Sequence, residues 1–281
     1  MIKKAIQRVT ELVANRLVDP LDKLAYDRFY RFPFGNAPLA NADTYKELWA
    51  EAKNKSYPGI DAYEKEMGYA IDQDWFQQLA LQTQVVIKQS DLCYQHGRLL
   101  YSRLAHYVAH HRPKTITILE TGTARGFSAL CMARALRDSG QPGKIITFDV
   151  LPHQVKMFWN CIADAQGPQT RAELLKDYDE LIEEYVIFHQ GDTRLELKKV
   201  NLPRVHLAFL DGMHTYKYVM YEYGLIKDRQ KAGDIIFFDD YTPQFFPGVV
   251  RAVDEICDRY GYEKRMIAVS EQRGYVIAHK K

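Results

Sequence analysis

Ile116-Thr117-Ile118-Leu119-Glu120-Thr121-Gly122-Thr123-Ala124-Arg125-Gly126-Phe127-Ser128 reads as a buried strand, a tight glycine turn and the opening of a helix. The β-branched and apolar run from Ile116 to Leu119 suits a strand covered on both faces. Gly122 allows a turn with positive φ, and Gly126 lets the backbone come close to a ligand. From Ser128 the chain continues Ala129-Leu130-Cys131-Met132-Ala133-Arg134-Ala135-Leu136, with helical propensity and one apolar face. Such a turn aims free backbone N–H groups at whatever lies above the strand end, so it is a ligand-binding turn.

The glycine spacing narrows the ligand. A dinucleotide fingerprint needs glycine at 122, 124 and 127, and this chain has Ala124 and Phe127. The order acidic-x-Gly-x-x-x-Gly-x-Ser instead resembles the first motif of class I S-adenosylmethionine (SAM)-dependent methyltransferases. That resemblance implies that Glu120 anchors the amino-acid part of SAM and that Gly122, Gly126 and Ser128 clear space for it. The bland alternative is an ordinary α/β turn.

Bulk properties exclude several classes. The chain has 281 residues, enough for one large domain or one domain with an extension. Its 38 Lys and Arg against 36 Asp and Glu give a formal charge of +2, with no dense basic block, so nucleic acid is not the expected partner. Cys93, Cys131, Cys161 and Cys257 are widely spaced, as reduced thiols packed in a cytoplasmic protein would be. No apolar run is long enough for a membrane span, and no signal-peptide core follows Met1.

Residues 1–18 pattern as an amphipathic helix, with Ile2, Ile6, Val9, Leu12, Val13 and Leu17 on one face and Lys3, Lys4, Arg8 and Arg16 around it. Peripheral contact with an anionic membrane is the weaker reading, because the face carries no Trp or Phe. Docking on the domain, or on a second subunit of a homo-oligomer, is the stronger one. Residues from Tyr26 to Tyr57 read as irregular, and helical patterning resumes near Asp61 and runs with breaks to His111. Gly97 followed by Leu99 and Leu100 resembles the segment before the first strand of caffeoyl-CoA-type O-methyltransferases. The expected division is therefore a helical and irregular extension over 1–93 and a methyltransferase domain over 94–281.

Past the turn, strands are expected at Lys144–Asp149, Tyr185–His189, Val205–Leu210 and Asp234–Phe238, alternating with helices. Residues 152–184 read as a long, polar, helical crossover. A last helix from Pro247 to Tyr260 ends at Gly261 as a C-cap would. Tyr262–Val269 and Arg273–His279 then form an antiparallel hairpin. The fold class is α/β: a Rossmann-like doubly wound sheet, mostly parallel, with an antiparallel C-terminal hairpin strand and an N-terminal helical extension.

Candidate site residues fall at strand C-termini, where open α/β sheets bind ligands. Asp149 ends the second strand and can accept from both ribose hydroxyls of a nucleoside cofactor. Asp192 and Thr193 follow the third. The resemblance places them beside adenine, and a helix N-cap is the equal alternative. Asp211 closes the fourth strand and Asp239 and Asp240 close the fifth. Three bunched acids need a cation or a proton to compensate them, and hard oxygen donors favour Mg²⁺. This layout resembles cation-dependent O-methyltransferases of the catechol and caffeoyl-CoA types, and the macrocin type more closely, where the acid pair is Asp-Asp. His214, three residues after Asp211, stands where catechol-type enzymes have a lysine near the reacting oxygen, and suits a general base. Macrocin-type enzymes place an acid two residues after the metal Asp, where this chain has Met213.

The leading expectation is a SAM-dependent O-methyltransferase acting on a phenol- or sugar-type hydroxyl of a small molecule. Mg²⁺ would sit on Asp211, Asp239 and Asp240, with His214 as base. A metal-independent methyltransferase and a catalytically silent SAM-binding assembly subunit are the alternatives.

Overall fold

The computed structural model describes residues 33–270 and 273–281. The amphipathic pattern of residues 1–18 lies outside them. Strand β1 (Ile116–Thr121) is buried at all six positions, as its apolar run predicts. It lies at the centre of a seven-stranded sheet with β2 (Gly143–Asp149), β3 (Val186–Gln190), β4 (Leu207–Leu210), β5 (Ile235–Phe238), β6 (Tyr262–Ser270) and β7 (Arg273–Lys280). The order is β3-β2-β1-β4-β5-β7-β6. The first five strands run parallel, β7 is antiparallel to β5, and β6 pairs antiparallel with β7 at the edge. The chain reverses its direction across the sheet between β1 and β4, and the ends of those strands form a crevice for a ligand.

Side-chain alternation along each strand divides the core in two. Ile116, Ile118, Phe209, Phe237 and Ile277 face one cluster, whereas Leu119, Ala208, Leu210, Ile236 and Phe238 face the other. The first cluster is covered by α1 (Ala42–Lys53), α2 (Pro58–Met67), α3 (Gln73–Thr83), α4 (His96–His111) and α5 (Phe127–Asp138). The helices α6 (Arg171–Leu174), α7 (Asp179–Tyr185) and α8 (Thr193–Glu196) precede and follow β3. The second cluster is covered by α9 (Tyr216–Ile226) and α10 (Pro247–Tyr260).

Two local features differ from the sequence expectation. Residues 42–53 are a helix rather than irregular chain. The Asn41 side chain accepts from the Thr44 N–H at 2.9 Å, and Asp43 and Lys53 sit at the favourable ends. Of the residues whose punctuation suggested irregularity, Pro33, Gly35 and Pro38 lie upstream of it and Pro58-Gly59 opens the next helix. The β2–β3 crossover is not a polar helix either. It is mostly turns around a completely buried Trp159, with a short 3-10 helix at Ile162–Gln166 and short α-helices only from Arg171 onward. Gly97, noted in the sequence for its place before paired leucines, lies at a close crossing of α4 on α5. A Cβ there would stand 2.7 Å from the Phe127 ring and 2.8 Å from Cys131 Sγ.

All four cysteines are buried and unpaired. Among the described residues, no helix is long and apolar enough to cross a membrane.

Candidate functional site

The turn after β1 is held from two sides. Gly122 has φ of +90°, its N–H donates to the Phe148 carbonyl at 2.9 Å, and a Cβ at Gly122 would overlap the carbonyl oxygen of Asp211. Glycine is thus required by the neighbouring strand end as well as by the turn. Ala124 takes a left-handed φ of +45°. Its N–H donates to Asp149 Oδ2 at 2.5 Å, and its carbonyl accepts from the Arg171 guanidinium at 2.9 Å. Asp149 Oδ1 accepts the Leu151 N–H at 2.7 Å. Each carboxylate oxygen retains a lone pair for a ligand.

A cavity of about 560 Å³, the size of small-molecule sites, opens over these strand ends. Its lining includes eight residues named from the sequence: Gly122, Asp149, Asp192, Thr193, Asp211, His214, Asp239 and Asp240. Glu120, Gly126 and Ser128 are not among the lining. Glu120 is completely buried below the turn, where it accepts from the hydroxyls of Ser128 and Thr147. Burial pushes its carboxyl up to about 7 despite those two donors. Gly126 has φ of +89°, and a Cβ there would stand 2.8 Å from Leu175 of the crossover. Its absent side chain makes room for protein. Asp192 is the N-cap of α8, accepting from the Arg194 N–H at 2.8 Å and pairing with the Arg194 guanidinium.

Sequence reasoning missed Glu222. This residue of α9 is 2% exposed and lines the same cavity. It accepts from Thr121 Oγ1 at 3.1 Å and from Thr193 Oγ1 at 2.9 Å, tying the ends of β1 and β3 together. Burial raises its carboxyl to about 7. Only its position on the cavity side of α9 marks it out, and that is not a sequence signal.

The acid cluster is assembled where β4 and β5 end. His214 Nδ1 bonds Asp240 Oδ2, while Nε2 stands 3.5 Å from Asp211 Oδ1. Asp211, His214 and Asp240 offer ligand atoms that all lie within 4.8 Å of one another. Asp239 is engaged differently. Its Oδ1 accepts the Asp240 N–H at 2.6 Å, and its Oδ2 accepts from Arg273 at 3.0 Å. Arg273 also donates to Asp240 Oδ1 at 2.7 Å. Antiparallel pairing of β5 with β7, with Phe238 opposite Val276, carries Arg273 there, and the sequence alone does not state that register.

Burial raises the Asp211 carboxyl well above the ordinary range, and the charges of Asp239 and Asp240 add to it. Burial alone would raise Asp240 too, but the bond from His214 and the charge of Arg273 hold it below the usual value. For His214, burial opposes the charged form, yet the bond to Asp240 and the charges of Asp240 and Asp239 outweigh it and raise its pKa. An imidazole paired to one acid, with a second acid of raised pKa at its other nitrogen, has the geometry for proton transfer.

The sheet order, the reversal crevice and carboxylates at successive strand ends define a class I methyltransferase architecture. A methyltransferase domain family profile matches residues 119–241. No curated protein matches the chain by sequence. TomG of Streptomyces achromogenes, an O-methyltransferase solved with SAM, superposes with a TM-score of 0.52 at 17% identity, over 75% of this chain and 92% of its own. The O-methyltransferase NovP gives 0.51 at 16% identity, over 69% and 83%. Cofactor-bound Rv0187 from MTB gives 0.51 at 15% identity, over 80% and 90%. Residues 119–241 thus match a methyltransferase domain, on a fold shared with solved O-methyltransferases.

Proposed function

We propose that the protein is an O-methyltransferase that methylates a hydroxyl of a small molecule, of phenol or sugar type, using the His214–Asp240 pair. The carrying observation is that this pair lines the same cavity as Asp149 and the β1 turn. SAM, when bound, supplies an electrophilic methyl group on a sulfonium. Asp149, Gly122, Asp192 and Thr193 would hold it, with Glu120, Gly126 and Ser128 shaping the turn from beneath.

His214 Nε2 faces the cavity beside Asp211, and a substrate hydroxyl between them would give its proton to that nitrogen. Asp240 fixes the ring through Nδ1 and stabilises the imidazolium that results. The freed oxygen lone pair forms the new C–O bond as the C–S bond breaks, and its electron pair stays on sulfur. Asp211, His214 and Asp240 also fit a divalent cation such as Mg²⁺, since their donor atoms converge. Such an ion would supply Lewis-acid lowering of the hydroxyl pKa. Asp239, named from the sequence as a third ligand, accepts from Arg273 and the Asp240 N–H and lies outside the converging set. Residues 94–281 would form the catalytic domain with 1–93 as its extension. Four buried, unpaired cysteines favour a cytoplasmic protein.

The test is methyl transfer from labelled SAM to panels of phenols and sugars, with and without EDTA. His214→Gln should leave SAM affinity unchanged and lower kcat by about 10²–10⁴-fold. An unchanged kcat removes His214 from the chemistry, and full activity in EDTA removes the cation from the reading.

A further inference from the structure

The acid cluster contains a cation of its own. Arg273 opens β7, and its guanidinium bridges two carboxylates, Nη1 to Asp240 Oδ1 at 2.7 Å and Nη2 to Asp239 Oδ2 at 3.0 Å. The carboxylates are almost inaccessible, the Asp239 side chain 2% and the Asp240 side chain 5% exposed, while that of Arg273 is 22% exposed. Its Nε donates to the Tyr275 hydroxyl at 3.4 Å. Backbone packing commits the guanidinium to this place. The Tyr241 N–H donates to the Gly274 carbonyl at 2.9 Å, and a Cβ at Gly274 would stand 2.7 Å from the Tyr241 oxygen. The start of β7 therefore runs hard against the chain leaving β5.

Asp240 itself sits at a left-handed φ of +55°, a conformation rare outside glycine that persists where surroundings over-determine it. Its two oxygens are divided between two partners, Oδ1 to Arg273 and Oδ2 to His214. Arg273 thus holds the acid that holds the imidazole.

We infer that Arg273 is the resident counter-cation of this site, assembling Asp239, Asp240 and His214 without metal and weakening the site for a divalent ion. Two buried carboxylates side by side need compensation, and a forked guanidinium supplies it to both at once. An ion entering among Asp211, His214 and Asp240 meets a partly neutralised cluster and a positive neighbour bonded to the same Asp240 carboxylate. At an effective dielectric of about 20, repulsion between a monovalent and a divalent cation a few ångströms apart changes binding by an order of magnitude or more. The inference rests on Asp211, His214 and Asp240 as the ion's donors.

The experiment uses the full chain without SAM or substrate, titrated with Mn²⁺ and followed by electron paramagnetic resonance of the free ion and by thermal melting. The wild type should bind weakly and melt at nearly the same temperature with or without the ion. Arg273→Met should melt lower in EDTA, bind Mn²⁺ about tenfold or more tightly, and regain melting temperature as the ion replaces the guanidinium. Arg273→Lys keeps the charge and loses the fork, and should retain the weak binding of the wild type. Equal Mn²⁺ binding by wild type and Arg273→Met refutes the role of Arg273 alone. No binding by either refutes the donor set beneath it. An Arg273→Met protein that stays unfolded with Mn²⁺ present shows that charge was not what Arg273 contributes.

Discussion

Replacing Glu120 by Gln tests whether the acid of the first motif is a buried, proton-holding group. The folded carboxyl titrates at about 7 against 4.5 for an ordinary glutamate, because it is fully buried. Its folded pKa is raised, so between those values the folded state binds a proton that the unfolded state has lost. Stability from this group is complete below pH 4.5 and is lost as pH rises through about 7. At 1.36 kcal/mol per unit, the loss comes to about 3 kcal/mol. Glutamine mimics the neutral form. The Ser128 and Thr147 hydroxyls, which now donate to the carboxyl, can rotate so that one accepts from the amide. Urea unfolding of both proteins from pH 4.5 to 8 should show similar stabilities at the acid end. At the alkaline end the variant should be the more stable by about 3 kcal/mol. Glu222 titrates in the same range but is present in both proteins, so it cancels in the difference. A difference that stays flat across this range would refute the buried-acid argument.

Gly122→Ala should destabilise the fold by about 2 kcal/mol or more and abolish SAM binding, because the new Cβ overlaps the Asp211 backbone. Gly140→Ala, also at positive φ but with nothing within 4 Å, is the control and should cost about 1 kcal/mol. Melting curves of equal midpoint for the two would contradict the close approach at Gly122. Asp149→Ala removes the acceptor for the Ala124 and Leu151 N–H groups. It should cost about 1–3 kcal/mol in SAM affinity measured by calorimetry, with Asp149→Asn losing less. Unchanged affinity would move the ribose away from this strand end.

The parts of this protein that repeat locally were readable in its chain. The β1 turn declares itself through β-branched residues, two glycines and a helix start. The five parallel strands declare themselves through short, largely continuous apolar runs, and the last helix through Pro247 at its start and Gly261 as a left-handed C-cap. Strand ends are where such folds bind ligands, so Asp149, Asp211, Asp239, Asp240 and His214 were legible as a set. Local pattern misjudged Ala42–Lys53, where nearby prolines outweighed a good N-cap, and the crossover, whose core is Trp159 rather than a polar helix.

What each site residue touches was decided elsewhere. Glu222 meets Thr121 across 101 positions, and Arg273 meets Asp239 and Asp240 across 34 and 33. Glu120 stands at the end of a readable strand, yet only the packing of Ser128 and Thr147 around it turns it inward. Periodicity and turn chemistry act over a few residues and survive in the sequence. Charge pairing and burial depend on strand order and register, so the division of the acids between Arg273 and His214 exists only once the sheet has formed.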